Sequence, residues 1–566
     1  MEDRNGDVEI HRHSHPIKTT KGGWHAAIFI ITMEAAEQFA YIGLGASLML
    51  YLTNAFHEPL TVAAKNRNTW VGVSSIFPLL GGFIADSYLG RFKTIIISSL
   101  IYLLGMILLT LSVSVLKNKK LFFTALYVLS VGNGGHKPCV QTFAADQFSE
   151  DTLEERDAKS SFFNWWYLTI VIGSIVAVFV IPYLQDNVSY AIGLEVLVAM
   201  LVGALVLFLL GVKRYSMESP KGSPITSIAQ VFVAACRKWR VKDTRHHENY
   251  WYGYDHGSFR EHHSQSPPKI QILVHTDQYR FLDKAMIIDE HDASSKSINP
   301  WRLCTMTQVE EVKLVIRLIP IWLSCLMFTV VQTQLATFFT KQSSTLNNSI
   351  GPHFKLPPAS LQGFVGIVIL FAVLIYDKFF VPFARKITGH HSGITVLQRI
   401  GVGLFLSIFT MVFAALVETK RVHVAKNHNL IDNTNKNIFI PMSIWWLLPQ
   451  YTILGISDAF TIVGLQELFY DQMPNAMRSL GAAAYLSIVG VGSFVSNGII
   501  SVVVEITSRD GRKWLGDNLN RAHLDYFYWV LAVLSAMNLC VYLCIAKSFV
   551  YKKRHMVETS MVESNT

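Results

Sequence analysis

Blocks of about 20 apolar residues recur along this 566-residue chain, and crossing a hydrocarbon core of roughly 30 Å takes a helix of that length. Backbone inside lipid must satisfy its own hydrogen bonds, so each block is expected to be a helix. Twelve spans are predicted, near residues 25–52, 69–87, 94–115, 121–141, 161–183, 189–211, 312–340, 357–382, 394–417, 440–470, 478–505 and 524–548. Composition agrees. Charged residues make up 16% of the chain, against about 25% in soluble domains, and mean hydropathy is +0.33. The chain reads as an all-α polytopic membrane protein whose first partner is the lipid bilayer.

The spans are arranged six, then about 100 polar residues, then six. This resembles the major facilitator architecture, in which two six-helix bundles are joined by a central linker. The units expected are an N-terminal tail at 1–24, a first bundle at 25–211, a linker at 212–308, a second bundle at 309–548 and a C-terminal tail at 549–566. Residues 225–240 of the linker form an amphipathic candidate ending in Arg237, Lys238 and Arg240; it lies on the membrane face or packs on the bundle. The linker histidines His246, His247, His256, His262 and His263 match no metal-ligand spacing and read as a solvated segment. Basic residues in the short loops are nearly balanced, so they do not set orientation. The basic linker, together with the sequons Asn187–Val188–Ser189 and Asn347–Asn348–Ser349 in loops opposite it, places linker and termini in the cytoplasm.

Within this apolar frame a few polar groups stand out. Glu34 and Glu37 lie three residues apart in the first span, on one helix face. A charge at bilayer depth costs a few kcal/mol or more, so such groups pair or line a path for protons, ions or a charged solute. Span four carries Gly132–Asn133–Gly134–Gly135–His136–Lys137–Pro138–Cys139, whose glycines permit close helix approach and whose Lys137 needs a counter-charge; Glu34 or Glu37 is the expected one. The pair is a proton-sensitive switch or a static structural bond. Glu467 in span ten faces a central cavity or sits near the membrane face, satisfied by Arg478 or water. In span seven Gln332 and Gln334 offer hydrogen bonds, while Arg317 is placed to snorkel at the span end. Asp86 and Arg91, in the tight loop after span two, form a gating contact or an ordinary exposed ion pair.

Other function classes lack their residues. The net charge of +9 sits in loops flanking spans, with no basic run interleaved with aromatics, so no nucleic-acid partner is expected. No phosphate-cradling loop supports an ATP-driven pump, no nucleophile has a base partner, and no cofactor or metal is expected. The six cysteines form no Cys-x-x-Cys pair.

Three stretches carry a family resemblance: 132–148, ending Phe143–Ala144–Ala145–Asp146–Gln147–Phe148; 467–481, with Phe469–Tyr470–Asp471–Gln472 and Met477–Arg478–Ser479–Leu480–Gly481; and the loop 81–92. They are similar to the signatures of the proton-dependent oligopeptide transporters, most closely the plant nitrate and peptide transporters, over nearly the whole chain. The resemblance implies a proton-coupled symporter of nitrate, peptides or another small solute, in a plasma or vacuolar membrane. It implies proton coupling by Glu34, Glu37 and Lys137, and substrate contacts from Tyr41, Lys137, Gln332 and Glu467. The family's Glu-x-x-Glu is followed by Arg or Lys; here Gln38 stands there. Gln332 stands where some nitrate carriers use histidine. An uncoupled facilitator or effluxer, or a solute sensor with weak transport, are the alternatives. Oligomeric state is not legible.

Overall fold

The structure, a computed structural model, describes residues 22–148, 153–217, 224–241, 272–273, 275–289, 292, 299–351, 354–389, 394–431, 439–473, 478–509, 513–551 and 554–555. The five linker histidines named above lie outside them. The long apolar runs form helices α1 Trp24–Asn54, α2 Leu60–Ile84, α3 Arg91–Ser114, α4 Lys119–Ala145, α5 Leu153–Asn187 and α6 Tyr190–Leu210. After the linker helix α7 Pro224–Arg237 come α8 Met306–Ser324, α9 Leu326–Thr333, α10 Gln362–Ile375, α11 Val381–Thr388, α12 Val396–Asn427, α13 Leu448–Gln472, α14 Arg478–Arg509 and α15 Leu524–Ser548. Local chemistry sets several starts. The Asn118 side chain accepts the Lys120 and Leu121 amides at the head of α4. Thr305 with Gln308, and Thr395 with Gln398, close capping boxes on α8 and α12. Strands are confined to short pairs in the loops.

Among the described residues, ten helices are long and apolar enough to cross a membrane, and α8 with the segment Leu326–Ser343, bent by 41° at Cys325, adds an eleventh. The remaining passage is α4. Its 27 residues extend about 40 Å, but Asn133, His136 and Lys137 lower its hydropathy. It packs between α2 and α3 as a full passage. It answers to the span expected at 121–141, and its polar residues are what make it less apolar than the ten helices counted above.

Helices α1 to α6 pack on one another, chiefly α3 on α4, α2 on α4 and α1 on α5; among the later helices α12 packs on α13 and α15, and α9 on α14. The two groups meet where α2 crosses α14 and α5 crosses α10. The hydrogen bonds between them, among the described residues, lie at the end opposite the linker. Lys65 Nζ meets Ser501 at 3.3 Å, Asn497 reaches Lys65 O and Thr69, and Gln362 donates to the Ala46 carbonyl at 3.0 Å. Lys341 reaches Thr53 and Asn54 on the same side. The bundles are thus clamped on the side where both sequon asparagines, Asn187 and Asn347, are exposed.

The span-four glycines permit the expected close approach. A Cβ on Gly81 of α2 would lie 2.1 Å from the Gly134 carbonyl oxygen of α4, and one on Gly132 would lie 2.6 Å from the Tyr102 amide of α3. A Gly81→Val variant is expected to lose several kcal/mol, because backbone cannot yield as a side chain can. A lower melting midpoint and reduced yield in detergent would report it; a wild-type midpoint would show that α2 and α4 separate freely.

The linker packs on the second bundle rather than on the membrane face. Val231, Ala234 and Ala235 of α7 are buried against Leu282, Ala285, Met286, Val309 and Val312. Lys238, one of the basic residues ending the amphipathic candidate, is buried, with Nζ bonded to Asp292 at 2.5 Å and to the Ile287 carbonyl. Arg317 does not snorkel either: its guanidinium donates to the Thr276 hydroxyl, which itself bonds Glu310 at 2.8 Å. His275, Asp283 and Glu310 bring ligand atoms within 4.8 Å, but the Lys313 ammonium lies 2.6 Å from Asp283 and 2.8 Å from Glu310, filling the place of a cation. Burial pushes the nearby Cys304 thiol up to about 11, which leaves it protonated and unreactive.

Candidate functional site

Glu34, Glu37 and Tyr41 occupy positions i, i+3 and i+7 of α1 and form one stripe. Both carboxylates are buried, at 8% and 1% exposure. Glu34 Oε2 and both oxygens of Glu37 lack hydrogen-bond partners. Facing them from α4 is His136, buried, with both ring nitrogens unpartnered and Nδ1 3.8 Å from Glu34 Oε2. Single ligand atoms of Glu34, Glu37 and His136 all fall within 4.8 Å of one another. A small cavity bordered by Met33, Glu37, Ser99, Tyr102, Leu103, His136, Leu201 and Leu205 opens beside the cluster.

Lys137 meets expectation in part: it lies within electrostatic range of Glu34 and Glu37 without a direct contact. Among the described residues no ion pair joins it to Glu34 or Glu37; its Nζ sits over the Tyr41 ring, 4.0 Å from the centroid. Consecutive residues on a helix point about 100° apart, so α4 turns His136 toward the carboxylates and Lys137 toward the next turn of α1. The aromatic face supplies part of the compensation that a carboxylate was expected to give.

In the second bundle, Gln332 of α9 donates to Asp458 of α13 at 3.3 Å. Asp458 is 5% exposed and its Oδ1 has no partner. The π-helical segment Leu335–Phe339, just after Gln332, packs on α1 and α2, which brings this pair next to the first bundle. Glu467 lies two and a half turns further along α13, near the linker end, with its side chain 37% exposed and paired to Arg399 Nη1 at 3.3 Å. Arg399 also reaches the Ala459 carbonyl and stacks over Tyr376 at 4.3 Å, tying α12, α13 and the α10 extension. Asp458, not Glu467, is the acid set against Gln332.

At the linker-side end of the first bundle, Arg91 pairs with Asp86 at 3.4 Å and also with Asp146 of the span-four stretch. The contact thus ties α2, α3 and α4 together, and all three side chains are partly accessible. Arg91→Gln is expected to slow turnover severalfold while lowering the melting point only slightly, since partly exposed pairs contribute about 1 kcal/mol or less each. Unchanged turnover would assign the trio to static packing.

A family model described as the POT family matches residues 92–516. The chain belongs to the POT family. Protein NRT1/PTR FAMILY 5.4 of Arabidopsis thaliana is 56% identical over 541 residues, covering 95% of this chain and 96% of the relative. Protein NRT1/PTR FAMILY 5.10 of the same plant is 44% identical, covering 96% of each. In fold the POT chain resembles a solved auto-inhibited POT family peptide transporter, with TM-score 0.67 and 18% identity over 94% of this chain and 98% of that one. The POT transporter PepTSo gives TM-score 0.66 at 20% identity, over 92% and 98%. The fold is therefore the major facilitator fold of the POT transporters, and the relatives are membrane transporters.

For this POT chain, sequence reasoning named Glu34, Glu37, Tyr41, Lys137 and Gln332 as candidates, and the structure sets His136, Asp458 and Arg399 beside candidates without the sequence having singled them out. Asp458 was findable: it is the lone charge in the apolar run 451–465, and membrane depth makes any such group a candidate. His136 is masked in sequence by Lys137 beside it. Arg399 sits near a helix start, where arginine is common.

Proposed function

We propose that the protein is a proton-coupled secondary carrier that moves a small solute (nitrate, a peptide or an organic anion) by alternating access. The observation that carries this reading is the buried cluster of Glu34, Glu37 and His136. Three titratable groups without hydrogen-bond partners, next to a cavity inside a membrane bundle, are costly unless protons come and go there. Lys137 and Tyr41 offer solute contacts from the first bundle, and Gln332 with Asp458 from the second. Glu467, held by Arg399, stands toward the linker-side mouth. The clamp between the bundles away from the linker fits the state open toward the linker, and the Asp86–Arg91–Asp146 contact is the part expected to change as the carrier cycles. Linker and termini lie in the cytoplasm, and the membrane is the plasma or vacuolar one.

A second reading, an uncoupled facilitator, is favoured by two observations: Gln38 offers no charge beside Glu37, and no ion pair ties Lys137 to the carboxylates. Uptake of labelled nitrate into cells expressing the protein, at external pH about 5.5 and about 7.5, separates the two. Uptake that rises at acid pH supports coupling; equal uptake at both supports the facilitator. A dipeptide competitor that suppresses uptake would move the solute toward peptides.

A further inference from the structure

One face of α15 marks out the thickness of the bilayer. Trp529, Val533, Met537, Cys540, Cys544 and Lys547 recur at helical spacing, and all six are exposed. From Trp529 to Lys547 the helix rises about 27 Å, close to the roughly 30 Å of a hydrocarbon core. An aromatic ring at one end and a lysine at the other are the anchors that the two membrane interfaces favour.

The Lys547 end lies on the linker side. Ile545 and Phe549 pack in one apolar cluster with Ile228 of α7. Beyond the helix, Arg554–His555 pair as a short antiparallel strand with Ile272–Leu273 of the linker. The run Lys552–Lys553–Arg554 follows closely in sequence, and such basic segments favour an anionic cytoplasmic leaflet. Cys544 is three residues short of Lys547, about 5 Å along the helix from the lipid boundary, and Cys540 is one turn deeper.

Exposure and depth set these two thiols apart. Free cysteine is among the most buried residue types, and Cys139, Cys304 and Cys325 are buried accordingly. Cys540 and Cys544 instead face outward together, one turn apart, where a thiol contributes little to packing. A long-chain acyl-coenzyme A keeps its nucleotide in water and its chain in the bilayer. Its thioester therefore sits at the interface, at the level of Cys544.

We infer that Cys544, and after it Cys540, is a site of reversible S-acylation by a long-chain acyl group. The cysteine sulfur attacks the thioester carbonyl, the carbon–sulfur bond to coenzyme A breaks, and the thiol proton ends on the coenzyme A sulfur. One thioester replaces another, so the step needs no oxidant or reductant. The added chain runs along the α15 face past Met537 and Val533. It holds the end of α15, and the linker strand paired just beyond it, against the cytoplasmic leaflet. The inference rests on the cytoplasmic placement of the linker.

The test is thioester exchange on the full-length protein expressed in eukaryotic cells. Free thiols are blocked, thioesters are cleaved with neutral hydroxylamine, and the thiols released are tagged with a maleimide polymer that slows migration in a gel. Wild type should shift only after hydroxylamine. Cys544→Ala should lose about half of the shifted protein or more, and Cys540→Ala with Cys544→Ala should lose all of it. Melting midpoints of the variants near wild type, expected because neither side chain is buried, show that a lost shift is not lost folding. Cys236, exposed on α7, reports the placement of the linker separately: a membrane-impermeant maleimide should label it only after the cells are permeabilised. A shift kept in the double variant overturns the inference. So does its absence from wild type when Cys236 labels only in permeabilised cells, a result that leaves the cytoplasmic linker standing. Labelling of Cys236 in intact cells removes that placement, and the acylation with it.

Discussion

Glu37→Gln is expected to abolish accumulation of solute against its gradient while leaving solute-for-solute exchange across the membrane. Glutamine keeps the size of glutamate and removes its proton, so the packing of α1 on its neighbours is preserved and only the titration is lost. Each pH unit across the membrane is worth about 1.36 kcal/mol per proton, so a gradient of about two units sustains roughly 100-fold accumulation with one coupled proton. The variant should reach only the level inside that it meets outside. The comparison is made in proteoliposomes by measuring the accumulated level and the exchange rate on one preparation. If Glu37→Gln still accumulates solute, the proton does not travel through this cluster. If exchange fails too, Glu37 belongs to the solute site.

The largest loss of stability is expected at Arg421. This arginine and Glu418, on α12, are both fully buried. Arg421 grips both carboxylate oxygens, at 2.8 and 2.7 Å, and also bonds Asn520 and the Leu519 carbonyl. Glu418 in turn accepts a hydrogen bond from Gln342 at 2.7 Å, which brings the segment after α9 into the same network. Removing one partner strands a charge where water cannot reach it, so Arg421→Ala should cost about 3–5 kcal/mol. The double change Glu418→Leu with Arg421→Met should recover much of that loss, because an apolar pair of similar volume leaves no charge behind. Thermal unfolding of the three proteins in one detergent checks this. A double variant no better than Arg421→Ala would mean that the network specifies the packing of α12 and does more than neutralise itself.

The membrane character of the chain was readable because crossing lipid demands length and apolarity over contiguous residues, and both are written locally. Segment 121–141 was read as a span on the same rule, and α4 fills it although Asn133, His136 and Lys137 lower its apolarity. Partnerships were less legible. Lys137 was expected on a carboxylate and lies on Tyr41, because the helical turn between His136 and Lys137 sends them to different levels of α1. Glu467 was expected to face the central cavity or to sit near the membrane face, satisfied by Arg478 or water; it is held by Arg399, 68 residues away in sequence, and Asp458 is the acid bonded to Gln332. Lys238, at the basic end of a helix expected on the membrane face or on the bundle, and Arg317, expected to snorkel, are both buried, since α7 folds its apolar face onto α8. In each case tertiary packing, which the local sequence does not spell out, chose the partner.

The most direct test of the proton-coupled reading is to record labelled solute entry and internal pH together in proteoliposomes holding the wild-type protein. The account predicts that each solute that enters, nitrate or a carboxylate-bearing compound, is accompanied by internal acidification, and that Glu37→Gln uncouples the two. Solute entry at an undiminished rate with no change in internal pH would contradict it and make the protein a facilitator.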